Sequence, residues 1–86
     1  MDVDCCSANT FPLSAGQQFD FVNYQSQQVE VTGCNPPLAA LAYSVPGGTS
    51  SNPGRSSAQV ASGAQSGYYL LSTNCPNQHA PTIQVT

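Results

Sequence analysis

Apolar and polar residues alternate along most of this chain, and a period of two rules out a helical fold. In "GQQFDFV" (16–22), Phe19 and Phe21 share one face while Gln18 and Asp20 take the other. In "QQVEVT" (27–32), Val29 and Val31 point one way and Gln28, Glu30 and Thr32 the other. Alternate side chains of a strand leave opposite faces of a sheet, so each stretch reads as a half-buried β-strand. The short polar connector "NYQSQ" between them predicts an antiparallel hairpin.

The rest of the chain carries the same signals. "GCNPP" breaks the pattern, because Pro36 and Pro37 have no N–H to give a ladder. "LAALAYSV" follows and reads as a strand, after a short turn, with Leu41, Tyr43 and Val45 on one face. "PGGTSSNPGRSS" (46–57) is dense in turn formers and predicts a long surface loop. "SAQVA" puts Ala58 and Val60 inward, "YYLLST" is apolar on both faces like a central strand, and "TIQVT" turns Ile83 and Val85 inward. Residues 1–10 read as a flexible N-terminal segment. The expected fold is all-β: a small antiparallel sandwich of six to seven strands with Greek-key connections. Its core is predicted from Phe19, Phe21, Val29, Val31, Leu41, Tyr43, Val45, Val60, Tyr69, Leu71, Ile83 and Val85.

Eighty-six residues make one domain, 1–86, with a core small enough to need a staple. Cys5, Cys6, Cys34 and Cys75 are an even set, which in a short chain reads as two disulfides formed in an oxidising compartment. The spacing leaves three pairings open. The protein is therefore expected to be secreted, with Met1 added to a mature form. Only 6% of residues are charged, and Arg55 is the single Lys or Arg. Nucleic acid and anionic membrane surfaces need clustered cations, so neither is an expected partner. No apolar run reaches the roughly 20 residues of a membrane-spanning helix.

Chemistry-bearing residues are few. Cys75 and His79, the only histidine, stand four apart and are candidate soft-metal ligands, with Cys5 and Cys6 as candidate completers. Set against this is a disulfide at Cys75 with His79 as an exposed loop residue, which is the reading adopted. The vicinal pair Cys5–Cys6 bridges to Cys34 and Cys75, closes on itself or cross-links another chain. A catalytic role for His79 would need Ser72 or Ser66 within hydrogen-bond reach and Asp20 or Glu30 behind it; no nucleophile, zinc-hydrolase or phosphate-loop motif is present, and the chain is read as no enzyme. Asp2 and Asp4 lack the other oxygens a Ca²⁺ ion requires. Tyr24, Tyr43, Tyr68 and Tyr69 are candidate sugar-stacking rings; adjacent Tyr68 and Tyr69 must face opposite ways, leaving one of them exposed.

Two stretches carry a family resemblance. "LSAGQQFDFVNYQSQQVEVTGCNPPL" (13–38) and "SGYYLLSTNCPNQHAPTIQVT" (66–86) resemble the cupredoxin pattern of a glycine turn, a strand ending near Asn, a Val-x-Val strand and a Cys/His loop before the last strand. The resemblance implies a cupredoxin-like sandwich and, in its copper form, a site of two histidines, a cysteine and an axial methionine. Cys75 and His79 would be carried over as ligands. The earlier histidine position falls near Gln27 or Gln28, and no methionine follows His79. The chain looks closer to the copper-lacking plant phytocyanin relatives, where Ser72 would replace the ligand cysteine and Cys75 would pair with Cys34.

Sheet edges are usually guarded by lysine and other charges, and this chain has almost none. The expected role is a non-enzymatic extracellular structural or adhesive module. Its expected partners are copies of itself in a filament, shell or matrix, or an extracellular protein or carbohydrate surface. No cofactor is expected; the alternative is a copper-binding or electron-transfer protein using Cys75 and His79.

Overall fold

A computed structural model describes all 86 residues, Met1–Thr86. Nine short strands form, and no helix: β1 Asp2–Asp4, β2 Thr10–Leu13, β3 Gln18–Asn23, β4 Val29–Thr32, β5 Tyr43–Val45, β6 Gly54–Gln59, β7 Gly67–Leu70, β8 Ser72–Thr73 and β9 Thr82–Val85. They make three three-stranded sheets, ordered β1-β3-β6, β2-β9-β7 and β5-β4-β8. The pairs β1·β3 and β2·β9 are parallel; the other four are antiparallel. The all-β expectation holds, with more strands than expected and with mixed as well as antiparallel pairing.

One core serves all three sheets. Val3, Phe19, Phe21 and Ala58 enter it from the first, Leu13, Ile83 and Val85 from the second, and Val29, Val31 and Val45 from the third. Each fully buried Val, Leu, Ile or Phe contributes about 1.5–3 kcal/mol. Phe19 meets Phe21 edge-on at 5.1 Å between ring centres, and Phe21 meets Tyr43 at 5.4 Å. The alternation of β3, β4 and β9 thus faces inward as the sequence implies.

Four expectations are corrected. The stretches around Phe19 and Val31 do not form a hairpin, because β3 pairs with β1 and β6 while β4 pairs with β5 and β8. Asn23 explains the crossover. It is fully buried, its amide N–H donates to the carbonyls of Gln27 (2.8 Å), Val45 (3.3 Å) and Pro46 (3.1 Å), and its Oδ1 accepts from Gln25 N–H at 2.9 Å. This side chain turns the chain out of β3 and seats the next turn on the end of β5.

Leu41 is 79% exposed, and Leu38 fills the core instead. The Asn35–Pro36–Pro37 turn, whose two prolyl bonds are cis, closes with Leu38 N–H donating to Cys34 O at 2.6 Å. Leu38 then bridges Val60, and the strand is confined to Tyr43–Val45. The loop after Val45 is also shorter than 46–57, since β6 begins at Gly54 and runs the length of β3. Gly48 N–H donates to Gln25 O at 2.8 Å. A Cβ on Gly47 would strike the Ser26 carbonyl, and one on Gly54 the Pro46 carbonyl; glycine permits this close approach of two turns.

Residues 1–10 are built into the sheet rather than free of it. Val3 is fully buried between exposed Asp2 and half-buried Asp4. Arg55 in β6 reaches across β3, giving Asp2 two hydrogen bonds of 3.0 and 3.2 Å and Asp20 one of 3.5 Å. The one fixed cation therefore ties all three strands of the first sheet on their outer face.

Candidate functional site

Three of the four cysteines converge where the end of β1 meets the loop after β8. Cys5 N–H donates to Val22 O at 3.1 Å, extending the β1·β3 ladder by one residue. Asp4 then turns the chain: its Oδ1 accepts from Cys6 N–H at 2.9 Å, and its carbonyl accepts from the Ser7 hydroxyl at 3.1 Å. The turn breaks the alternation, so Cys5 and Cys6 are both buried instead of facing opposite ways.

The loop from Asn74 to Pro81 closes on this turn. Gln78 N–H donates to Cys75 O at 3.0 Å, and Gln78 takes a left-handed φ of 62°. Asn77 clamps the two segments, its amide N–H donating to Cys6 O at 2.8 Å while its Oδ1 accepts from His79 N–H at 3.0 Å. Cys6 and Cys75 are joined in a disulfide with 5.6 Å between their Cα atoms. The Cys5 thiol lies 3.8 Å from the Cys6 sulfur, and all three sulfurs fall within 4.8 Å of one another. Cys75 Sγ is also 3.2 Å from Cys5 O; bonded to sulfur, it has no hydrogen to donate there. Burial, reinforced by the Asp4 charge, pushes the Cys5 thiol up to about 11.

Cys34 lies apart, so the expected pair of disulfides is reduced to one. Its Sγ lies 3.5 Å from the carbonyls of both Ala40 and Leu41, and burial pushes its thiol up. It faces its own loop, and the partner that the phytocyanin resemblance would give it, Cys75, is taken by Cys6. Only one of two adjacent cysteines can occupy Cys75, which leaves Cys5 as a second buried thiol.

His79 is exposed and stands outside the sulfur cluster. Its backbone holds the loop, the carbonyl accepting from the Thr73 hydroxyl at 2.9 Å. With its sulfur bonded to Cys6, Cys75 is no thiolate ligand beside His79, so these residues do not fit a His/Cys copper centre as they stand. The acids considered as partners for His79 are engaged elsewhere. Asp20 meets Arg55. Glu30 accepts from the Ser44 hydroxyl at 2.6 Å and from Gln28 at 2.7 Å, and these bonds, Ser44 first, hold its carboxyl below the usual range.

Two surfaces remain. A concavity of about 600 Å³ lies over the first sheet, lined by Met1, Phe19, Asp20, Tyr43 and Ala58 among others. On the outer face of the second sheet, Tyr68 and Leu70 are 71% and 72% exposed. Cross-strand partners there are Tyr68–Gln84–Pro12 and Leu70–Thr82–Thr10, a face with no charge. As the alternation requires, Tyr69 turns inward, packing on the core with its hydroxyl donating to Gln65 O at 2.8 Å. Sequence reasoning missed Asn23 and Asn77, since nothing distinguishes either from the many other polar residues of this chain. Compared with known proteins, the chain matches no family model, no curated protein and no solved structure.

Proposed function

We propose that this protein is a non-enzymatic extracellular structural module that associates with copies of itself through the outer face of β7. The observation that carries this reading is the pair Tyr68 and Leu70, both more than 70% exposed on a strand that ends its sheet. A strand at an edge offers unpaired backbone groups, and here no charged side chain on its outer face opposes a second copy. The Cys6–Cys75 staple and the shared core supply a scaffold for such a contact.

The finer architecture belongs to the same proposal. Only Leu71 separates β7 from β8, so residues 67–73 pass from the second sheet into the third without a turn. Read as one bent strand, they link the edge strand β7 of the second sheet to the edge strand β8 of the third, both sheets facing β1-β3-β6 across the core. In this reading the three sheets make a two-layered sandwich.

Light scattering during size-exclusion chromatography, over a concentration series, tests the association. The expected result is a mass that grows with concentration and returns to the 8.9 kDa monomer in the double variant Tyr68→Lys, Leu70→Lys. A strict monomer at the highest concentration, with no assemblies by electron microscopy, overturns the proposal.

A further inference from the structure

The three sulfurs that meet at the N-terminal turn have a geometry beyond a staple. We propose that Cys5, Cys6 and Cys75, once the Cys6–Cys75 bond is reduced, form a three-thiolate site for a single Cu(I) ion, separate from His79. Sulfurs about 2.3 Å from a central ion in a plane lie roughly 4 Å apart. Cys5 and Cys6 are already 3.8 Å apart, and no pair exceeds 4.8 Å. Only Cys6 and Cys75 must spread, and rotation about their side-chain bonds supplies that.

The donor set selects the ion. It holds sulfur alone, with no carboxylate or imidazole among the clustered atoms, which favours a soft cation over Ca²⁺ or Mg²⁺. Zn²⁺ takes four ligands in structural sites, whereas three buried thiolates complete a trigonal shell for Cu(I). The anchors are in place before the ion arrives: Cys5 N–H on Val22 O, Cys6 N–H on Asp4, and Asn77 on Cys6 O.

The chemistry balances in two steps. A small-molecule dithiol gives two electrons and two protons to the Cys6–Cys75 bond and closes to its own disulfide, leaving three protein thiols. Cu(I) then replaces the three thiol protons, which leave to solvent, and the site passes from neutral to a net charge of −2. Protons are products of binding, so affinity rises with pH. The disulfide is the closed, oxidised form of the site.

The test uses the full chain, reduced with a dithiol, freed of it without oxygen, and titrated with Cu(I) against a chromophoric chelator. One Cu(I) per chain is expected, with three sulfur neighbours by X-ray absorption and tighter binding at higher pH. Cys5→Ser is expected to leave two sulfurs and to weaken binding roughly 10- to 100-fold or more. Cys34→Ser is expected to bind like the parent, and the oxidised protein not to compete with the chelator. If reduction unfolds the chain, Cu(I) must restore its native amide NMR spectrum; failure to do so overturns the site. It is equally overturned if the reduced chain takes up no Cu(I), or if Cys34→Ser weakens binding as much as Cys5→Ser, as a disordered polythiol would.

Discussion

Two side chains, Asn23 and Cys6, hold segments together that nothing nearby in sequence relates. Asn23 satisfies three carbonyls and one N–H inside the protein. Asn23→Ala strands those backbone groups away from water, and the cost is expected at about 2–3 kcal/mol, read as a lower urea midpoint with unchanged slope. Cys6 and Cys75 are 69 residues apart, so losing their bond frees nearly the whole chain when unfolded. Cys75→Ser is expected to lose about 4 kcal/mol on chain-entropy grounds. Cys6→Ser is expected to lose far less, because the Cys5 thiol already stands within 4.8 Å of Cys75 and can take its place. Mass mapping of Cys6→Ser under non-reducing conditions should find a Cys5–Cys75 bond; a protein with Cys5 and Cys75 both free contradicts this.

At the scale of strands, alternation identifies which face is buried but not which strand lies beside it. Phe19, Phe21, Val29, Val31, Ile83 and Val85 all point inward as the pattern requires. Yet the adjacent strands around Phe19 and Val31 lie in different sheets, since a short polar connector suits a crossover as well as a hairpin. Leu38 and Leu41 make the same point. They are the same residue type three positions apart, and the proline turn before them decides which enters the core. Leu38→Ala is expected to cost about 2–5 kcal/mol through the lost burial and the cavity left behind. Leu41→Ala is expected to change stability by less than about 0.5 kcal/mol. Thermal or urea unfolding of the two variants compares them directly, and equal losses would place both leucines in the core.

The candidate site was legible in part for the same reason. A cysteine's identity says that it seeks sulfur or burial, so Cys5, Cys6, Cys34 and Cys75 were visible as a set. Their partners depend on the local Asp4 turn and on the Asn77 clamp, which acts over 71 residues of sequence. His79 drew notice by standing near Cys75 in sequence, but Cys75 is bonded to Cys6 and His79 stands outside the sulfur cluster.

For the molecule as a whole, few charges make acid sensitivity traceable to few groups. Asp2 is held below the usual carboxylate range by its hydrogen bonds from Arg55, and Glu30 by Ser44 and then Gln28. A depressed folded value favours the folded state above the unfolded value, and that contribution is lost as pH falls through the folded one. Stability is therefore expected to be flat from neutral pH to about 5 and to fall below about 4. Both groups are exposed, so the loss is small and shrinks with salt. Melting temperature against pH in dilute protein, for the parent and Arg55→Gln, checks this: the variant should lose the part of the acid slope due to Asp2.

The sequence by itself determined an all-β chain, the inward faces of its main strands, the lack of any basic surface and the presence of a staple. Those properties follow from side-chain period and composition, which act within a few residues. Only the tertiary structure decided that residues 2–4 join the first sheet, that Cys6 rather than Cys34 takes Cys75, and that Cys5 is left beside them. Strand neighbours and sulfur partners are chosen between segments far apart in the chain, where burial in one shared core, and not local pattern, selects among many equally alternating strands.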